Sequence, residues 1–250
     1  MIVLLDSEII FIGKIILKHV NFNDNISEKM KDKISNFWNN DVKSKNETIY
    51  NDQVLRFVRI NPNNNAEIEV SYTDYKNIII DREFLNSSLN ISQVGVSGLV
   101  INKNGLDSLI LFAKRSSNVT EYPNFYELVP SGNLDKSVLS NDGTINYIAK
   151  ILQEFEEETG LLSSAITNIT PFCFVRDNKN HVFDVCCVLE INVDPKILTD
   201  SFKTVSEFNS PYFVSLENLN SFVCENESNI VPTSKAIVEC FLQNYKNDFQ

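Results

Sequence analysis

Histidine is nearly absent. His19 and His181 are the only two in 250 residues, too few for a metal site built on imidazoles. Cysteine is sparse too. Cys173, Cys186, Cys187, Cys224 and Cys240 make an odd number without the paired spacing of a zinc site, so they read as reduced, packed thiols. That usage fits a cytoplasmic compartment. No apolar run approaches the length of a membrane span, and no basic segment precedes the apolar start, which reads as a strand rather than a secretion signal. Basic residues are outnumbered, 22 Lys and Arg against 33 Asp and Glu, for a formal net charge of −11. Such a surface repels nucleic-acid backbones and anionic lipids, so neither nucleic acid nor a membrane is expected as a partner. A small phosphorylated ligand stays open, because bound cations can invert the local charge.

The chain is 43% apolar, enough for one large domain or a medium domain with a smaller companion. Residues 1–90 read as an α+β segment and residues 91–250 as the main domain. In the first part, 2–5, 8–19, 53–60 and 67–72 have strand character, 75–80 could add another strand, and 26–38 is an amphipathic helix. The polar stretch 86–92 separates this segment from the main domain. Residues 94–101 and 109–113 then form a hairpin around Asn104-Gly105. Later strands are expected at 172–175, 181–191 and from 211, with a final helix over 233–245. Cys186 and Cys187, adjacent in a strand, should point to opposite faces.

The most informative stretch is Gln153-Glu154-Phe155-Glu156-Glu157-Glu158-Thr159-Gly160-Leu161. Ile145, Ile148, Ile151, Leu152 and Phe155 follow one face of a helix starting near Thr144, and Gly160 ends it. At about 100° per residue, Glu154, Glu157 and Glu158 share one sector and Glu156 points away. Three like charges repel one another, and they sit at the helix end whose dipole disfavours anions. A solvated acidic face would carry the same charges. Converging oxygen ligands make sense where a divalent cation occupies the patch.

This spacing resembles the second half of the Nudix box, Arg-Glu-apolar-x-Glu-Glu-x-Gly-apolar, and Val129-Pro130-Ser131-Gly132 is similar to its opening. Two residue types depart from the pattern. Gln153 stands where the pattern has arginine, and Ile145 where it has an acid. Gly132 lies twenty-one residues before Gln153, so the loop is about seven residues longer than the pattern. The likeness covers roughly residues 93–195. It implies a mixed-sheet α/β/α sandwich and hydrolysis of a nucleoside diphosphate linked to another group, most simply a nucleotide sugar, with Mg²⁺ or Mn²⁺ as cofactor. By the same resemblance Glu154, Glu157, Glu158 and the Gly132 carbonyl would hold metal. Glu154 would be the first candidate for general base, ahead of Asp177, Asp184 and Glu207. Arg115 could meet a substrate phosphate or form a surface ion pair, and Tyr122 and Phe125 could stack on a base or serve loop packing. Residues 1–90 would shape the pocket or a homodimer contact. The alternative is a weakened Nudix domain that binds a nucleotide as a sensor or interaction module without turnover, since Gln153 can orient a glutamate by a hydrogen bond but supplies no charge.

Overall fold

The structure, a computed structural model, describes residues 7–47, 49–104, 107–119, 121–202 and 207–244. The expected strand at 2–5, Gly105 of the expected turn and Tyr245 of the last helix lie outside them. In chain order the elements are β1 (Ser7–Ile12), β2 (Ile16–His19), α1 (Glu28–Phe37), β3 (Gln53–Ile60), β4 (Glu67–Asp74), α2 (Tyr75–Phe84), β5 (Gln93–Asn102), β6 (Leu109–Arg115), β7 (Tyr126–Leu128), β8 (Ser131–Asn133), α3 (Tyr147–Thr159), β9 (Ile166–Asp177), β10 (Val182–Ile191), α4 (Pro195–Ser201), β11 (Phe208–Ser215), α5 (Leu219–Glu225) and α6 (Pro232–Asn244).

The strands form one mixed sheet, with the order β1-β9-β10-β5-β3-β4-β2 along its main path. Side-chain alternation on the central strands divides two apolar cores between the two faces. On β5, Val94, Val96 and Val100 belong to one core, while Leu99 and Ile101 belong to the other. On β10 the neighbours Cys187 and Cys186 divide in the same way, as their adjacency requires. Ile151 and Phe155 of α3 fill the first core, and Phe222, Ile237 and Phe241 of α5 and α6 fill the second. The result is the helix–sheet–helix layering that the resemblance implied. No helix among the described residues is long and apolar enough to cross a membrane.

β5 runs parallel to β10 along its whole length on one edge. Its other edge is shared by three partners in succession. Gln93 faces Arg56 of β3, Gly95 to Ser97 face β8, and Ile101 and Asn102 face β6. The sheet thereby branches, with β3, β4 and β2 on one arm and β6, β7 and β11 on the other, and β8 lies between them.

Residues 7–90 join this sheet rather than standing beside it. β1 pairs with β9, and Ile15, Leu17, Leu55, Ile68 and Val70 share a core with Val94, Val129 and Phe155. The lengthened loop before α3 accounts for part of the union. Leu134 accepts a hydrogen bond from the Leu55 N–H (2.8 Å), Gly143 accepts one from His19 (2.8 Å), and the Ile145 N–H donates to Leu17 (3.0 Å). Ile145 itself is 4% exposed and packs in the core, so the position is structural in this chain.

Four local expectations are corrected. The strand expected over 8–19 is two strands, broken at Gly13, whose φ of +123° no strand residue adopts. Residues 75–80 are not a strand but the start of α2. Their β-branched run suggested a strand, yet Ile79 and Ile80 pack on Ile34 and Trp38, and Ile78 packs on Val54 and Ile91. Burial on several sides overrides the propensity of such residues. The stretch 86–92 is held close to α2 by buried Asp81, which accepts from the N–H groups of Leu89 (2.8 Å) and Ile91 (3.1 Å). Finally, α3 starts at Tyr147 rather than near Thr144, because the Asn146 side chain caps it by accepting from the Ala149 N–H (3.1 Å).

Phe155 is fully buried and ties α3 to the sheet. Phe155→Ala should cost about 3–5 kcal/mol, read from urea unfolding of the two proteins. A loss below about 1 kcal/mol would show that α3 is not seated as described.

Candidate active site

The apolar face of α3 fixes where its polar residues go. With Tyr147, Ile151 and Phe155 against the sheet, the Tyr147 hydroxyl donates to the Ile15 carbonyl (2.7 Å). Lys150, Glu154 and Glu158, four residues apart, then face β8 along one side of the helix. Gly160, in the left-handed region at φ +73°, ends the helix, and its N–H donates to the Glu156 carbonyl (3.0 Å).

Glu158 is 5% exposed and accepts a hydrogen bond from the Ser131 N–H of β8 (3.1 Å). Among the described residues no ion pair reaches it. Burial raises its carboxyl well above the usual range, the neighbouring Glu127, Glu207 and Glu154 raise it further, and the Ser131 N–H only partly offsets them. Glu154 lies against Gly132. A Cβ on that glycine would stand 2.3 Å from Glu154 Oε1 and 2.5 Å from its Cγ, so any larger residue there would displace the carboxylate. Lys150 Nζ is 2.8 Å from Glu154 Oε1 and 3.7 Å from Asp135 Oδ2. Burial raises the Glu154 carboxyl, and the Lys150 charge opposes that shift.

Asp184 of β10 approaches from across β5, opposite Gly95. A Cβ on Gly95 would come within 2.5 Å of Asp184 Oδ1 and 3.0 Å of the Gly132 carbonyl oxygen, so side chain and carbonyl converge over the same glycine. Asp184 is 8% exposed, and burial pushes its carboxyl up to about 7, with Ser97 easing the shift and Glu127 adding to it. These groups line a cleft of about 1710 Å³ that extends toward residues of the N-terminal segment.

Of the residues singled out in the sequence, Glu154, Glu158, Gly132, Arg115 and Tyr122 line this cleft together. Glu157 does not. It is exposed and accepts a hydrogen bond from Gln153 Nε2 (2.8 Å). Arg115 is committed to the cleft wall, paired with Glu127 and with Glu207 (3.4 Å) while its Nε donates to the Glu121 carbonyl (3.0 Å). The Tyr122 hydroxyl donates to Asp177 Oδ2 (3.2 Å) and accepts from Asn180 Nδ2 (2.6 Å). Phe125 is outside the lining and packs against the Tyr122 ring, with centroids 5.4 Å apart. Asp177 and Glu207 also reach the cleft, but each is engaged, Asp177 by Tyr122 and Asn180 and Glu207 by Arg115.

Sequence reasoning missed Lys150, Asp135 and Glu127. Lys150 had a signal in its four-residue spacing from Glu154. Glu127 and Asp135 had none, since strand pairing alone brings them to the cleft.

The cleft is lined by eleven Asp and Glu residues and five Lys and Arg, and Glu127, Glu158, Asp177 and Asp184 among the acids are buried. That excess and the unpaired Glu158 suit a hard divalent cation. Among the described residues no three His, Cys, Asp or Glu side chains converge as a ready-made metal cage. Magnesium is commonly held by one or two carboxylates together with a ligand's phosphates, so the donor set fits that mode rather than a closed site.

No protein-family model matches the chain, and a search of the curated proteins finds no match. Among solved structures it is similar to the Nudix domain of Shewanella oneidensis NrtR complexed with ADP ribose, at 14% identity over 61% of this chain and 87% of that one, TM-score 0.44. It is also similar to a mutT/nudix family protein from Listeria innocua, at 16% identity over 61% and 98%, TM-score 0.39. A third is a bifunctional NMN adenylyltransferase/ADP ribose pyrophosphatase from Francisella tularensis complexed with AMP and a manganese ion, at 17% identity over 67% and 46%, TM-score 0.42.

The raised Asp184 carboxyl gives a signed expectation. Its ordinary value of 3.8 becomes about 7 in the folded chain, so folding favours the protonated form. The stability this group contributes is whole below about pH 4 and is lost as pH rises toward 7. Asp184→Asn should remove a slope of up to roughly 1.4 kcal/mol per pH unit across that window. Urea unfolding at several pH values, in chelator, checks this, and identical slopes in the two proteins would contradict it.

Proposed function

We propose that this protein is a Nudix-type hydrolase that cleaves the phosphoanhydride bond of a nucleoside diphosphate linked to another moiety, most simply a nucleotide sugar, with Mg²⁺ or Mn²⁺. The observation that carries the reading is the burial of Glu158, without a cationic partner among the described residues, against the β8 strand of Gly132, in a cleft with more acids than bases. An unpaired buried carboxylate is costly, and the cost makes sense where a charged ligand balances it. The likeness of the residues from Gln153 to Leu161 to a Nudix box adds to this.

Glu158 and Glu154, with the Gly132 carbonyl, would hold the cation, and Glu157 would act at the rim, oriented by Gln153. A bound cation would neutralise diphosphate charge and lower the pKa of a bound water. The chain's own residues do the rest. Arg115, paired with Glu127 and Glu207, would meet a phosphate oxygen at the cleft wall by giving up the longer pair to Glu207. Tyr122, held by Asp177 and Asn180, presents its ring to the second moiety. Proton abstraction has two candidates. Glu154 is tied to Lys150, whereas Asp184 has no ion pair among the described residues and a carboxyl near neutral pH, which suits a general base. The substrate is a small molecule, in keeping with the acidic surface.

The second reading is a nucleotide-binding module without turnover. The placement of Gln153 on exposed Glu157, away from Glu154 and Glu158, favours it, since the glutamates inside the cleft lack the charged residue the family uses to orient the box.

The hydrolase should release a nucleoside monophosphate from at least one of a panel of nucleotide sugars, dinucleotides and ADP-ribose when Mg²⁺ or Mn²⁺ is present. Silence across the panel would refute turnover. Glu158→Gln should lower the rate on the order of a hundredfold or more. Gly132→Ala should do the same by displacing Glu154. A Glu158→Gln variant as active as wild type would unseat the assigned site while leaving the activity.

A further inference from the structure

Lys150 is out of character for a lysine. Its kind usually lays the stem on apolar surface and keeps the ammonium in water. This one is 8% exposed, with its ammonium inside the cleft, 2.8 Å from Glu154 and 3.7 Å from Asp135. Local helix energetics do not ask for the pair, because lysine four residues before glutamate is the weaker order on an isolated helix. Glu154 in turn occupies the space that a side chain at Gly132 would fill. Glu158, one turn further on, has no cationic partner among the described residues. The cleft is thus divided into a half neutralised from within and a half that is not.

We propose that Lys150 is a built-in counter-ion that takes the place of a divalent cation at Glu154. Resting on the cation-dependent reading of this cleft, the inference goes beyond it. A divalent cation enters on the Glu158 side and gains Glu154 only by displacing the ammonium, because two cations on one carboxylate repel each other. Lys150 thereby sets both the affinity and the number of ions that the protein takes.

The test is Mn²⁺ binding to the full chain without substrate, monitored by the paramagnetic resonance of the free ion. Wild type is compared with Lys150→Met, Lys150→Gln, Lys150→Arg and the double variant Lys150→Met/Glu154→Gln, each checked for folding by circular dichroism. Removing the charge should tighten binding at least about tenfold, or add one ion, in whichever of the Met and Gln variants folds. Arginine should behave as wild type, and the double variant should lose the gain. If the charge-free variants bind Mn²⁺ no better than wild type, and with the same number of ions, Lys150 is not a counter-ion and the cation reading stands. If the gain survives in the double variant, it does not act through Glu154 and the proposal fails. If no variant and no wild type binds Mn²⁺, the cation reading falls and this inference with it.

Discussion

Everything in the cleft depends on the seating of α3. Ile151 and Phe155 are withdrawn from water into the core beneath β5, and that burial leaves the helix no freedom to roll. Because side chains four apart share a face, the same rotation that buries these two turns Lys150, Glu154 and Glu158 toward β8. The charges go where the apolar residues send them. Asn146 at one end and Gly160 at the other fix the length of the helix, so Glu158 falls in the last turn, opposite the Ser131 N–H.

The second constraint is the changing partnership of β5. A strand that hands its edge from β3 to β8 to β6 cannot keep all three in one ladder, and the sheet opens where it branches. β8 sits at that opening with a glycine at its centre. Glu154 from the helix and Asp184 from β10 each approach a glycine there closely enough that a methyl group would collide. Backbone and carboxylates therefore meet without side chains between them, which is the condition for a carbonyl and several carboxylates to address one ligand.

Electrostatically the cleft is uneven. Arg115 is spent on Glu127 and Glu207, and Lys150 on Glu154 and Asp135, so the residual negative charge collects at Glu158 and Asp184. Both are buried, and both are pushed toward the protonated state. Salt screens such a buried imbalance much less than one on the surface. A ligand that brings positive charge is the direct way to balance it.

By itself the sequence determined the apolar rhythm of α3, its glycine stop, the glutamate spacing, and the split of Cys186 and Cys187 to opposite faces. All of these are local periodicities of a helix or a strand. The helix–sheet–helix layering was implied only by the resemblance of Gln153 to Leu161 to a Nudix box. Only the tertiary structure decided that Glu157 faces water while Glu158 does not, since angular position on a helix says nothing about what stands opposite. Only the structure turned the isoleucine run at 78–80 into a helix, through packing against α1, and joined residues 7–90 to the sheet through the long loop before α3. Glu127, Asp135 and Asp184 reached the cleft by strand pairing across distant parts of the chain. Such pairings depend on which edges meet in space, and no short-range pattern encodes them.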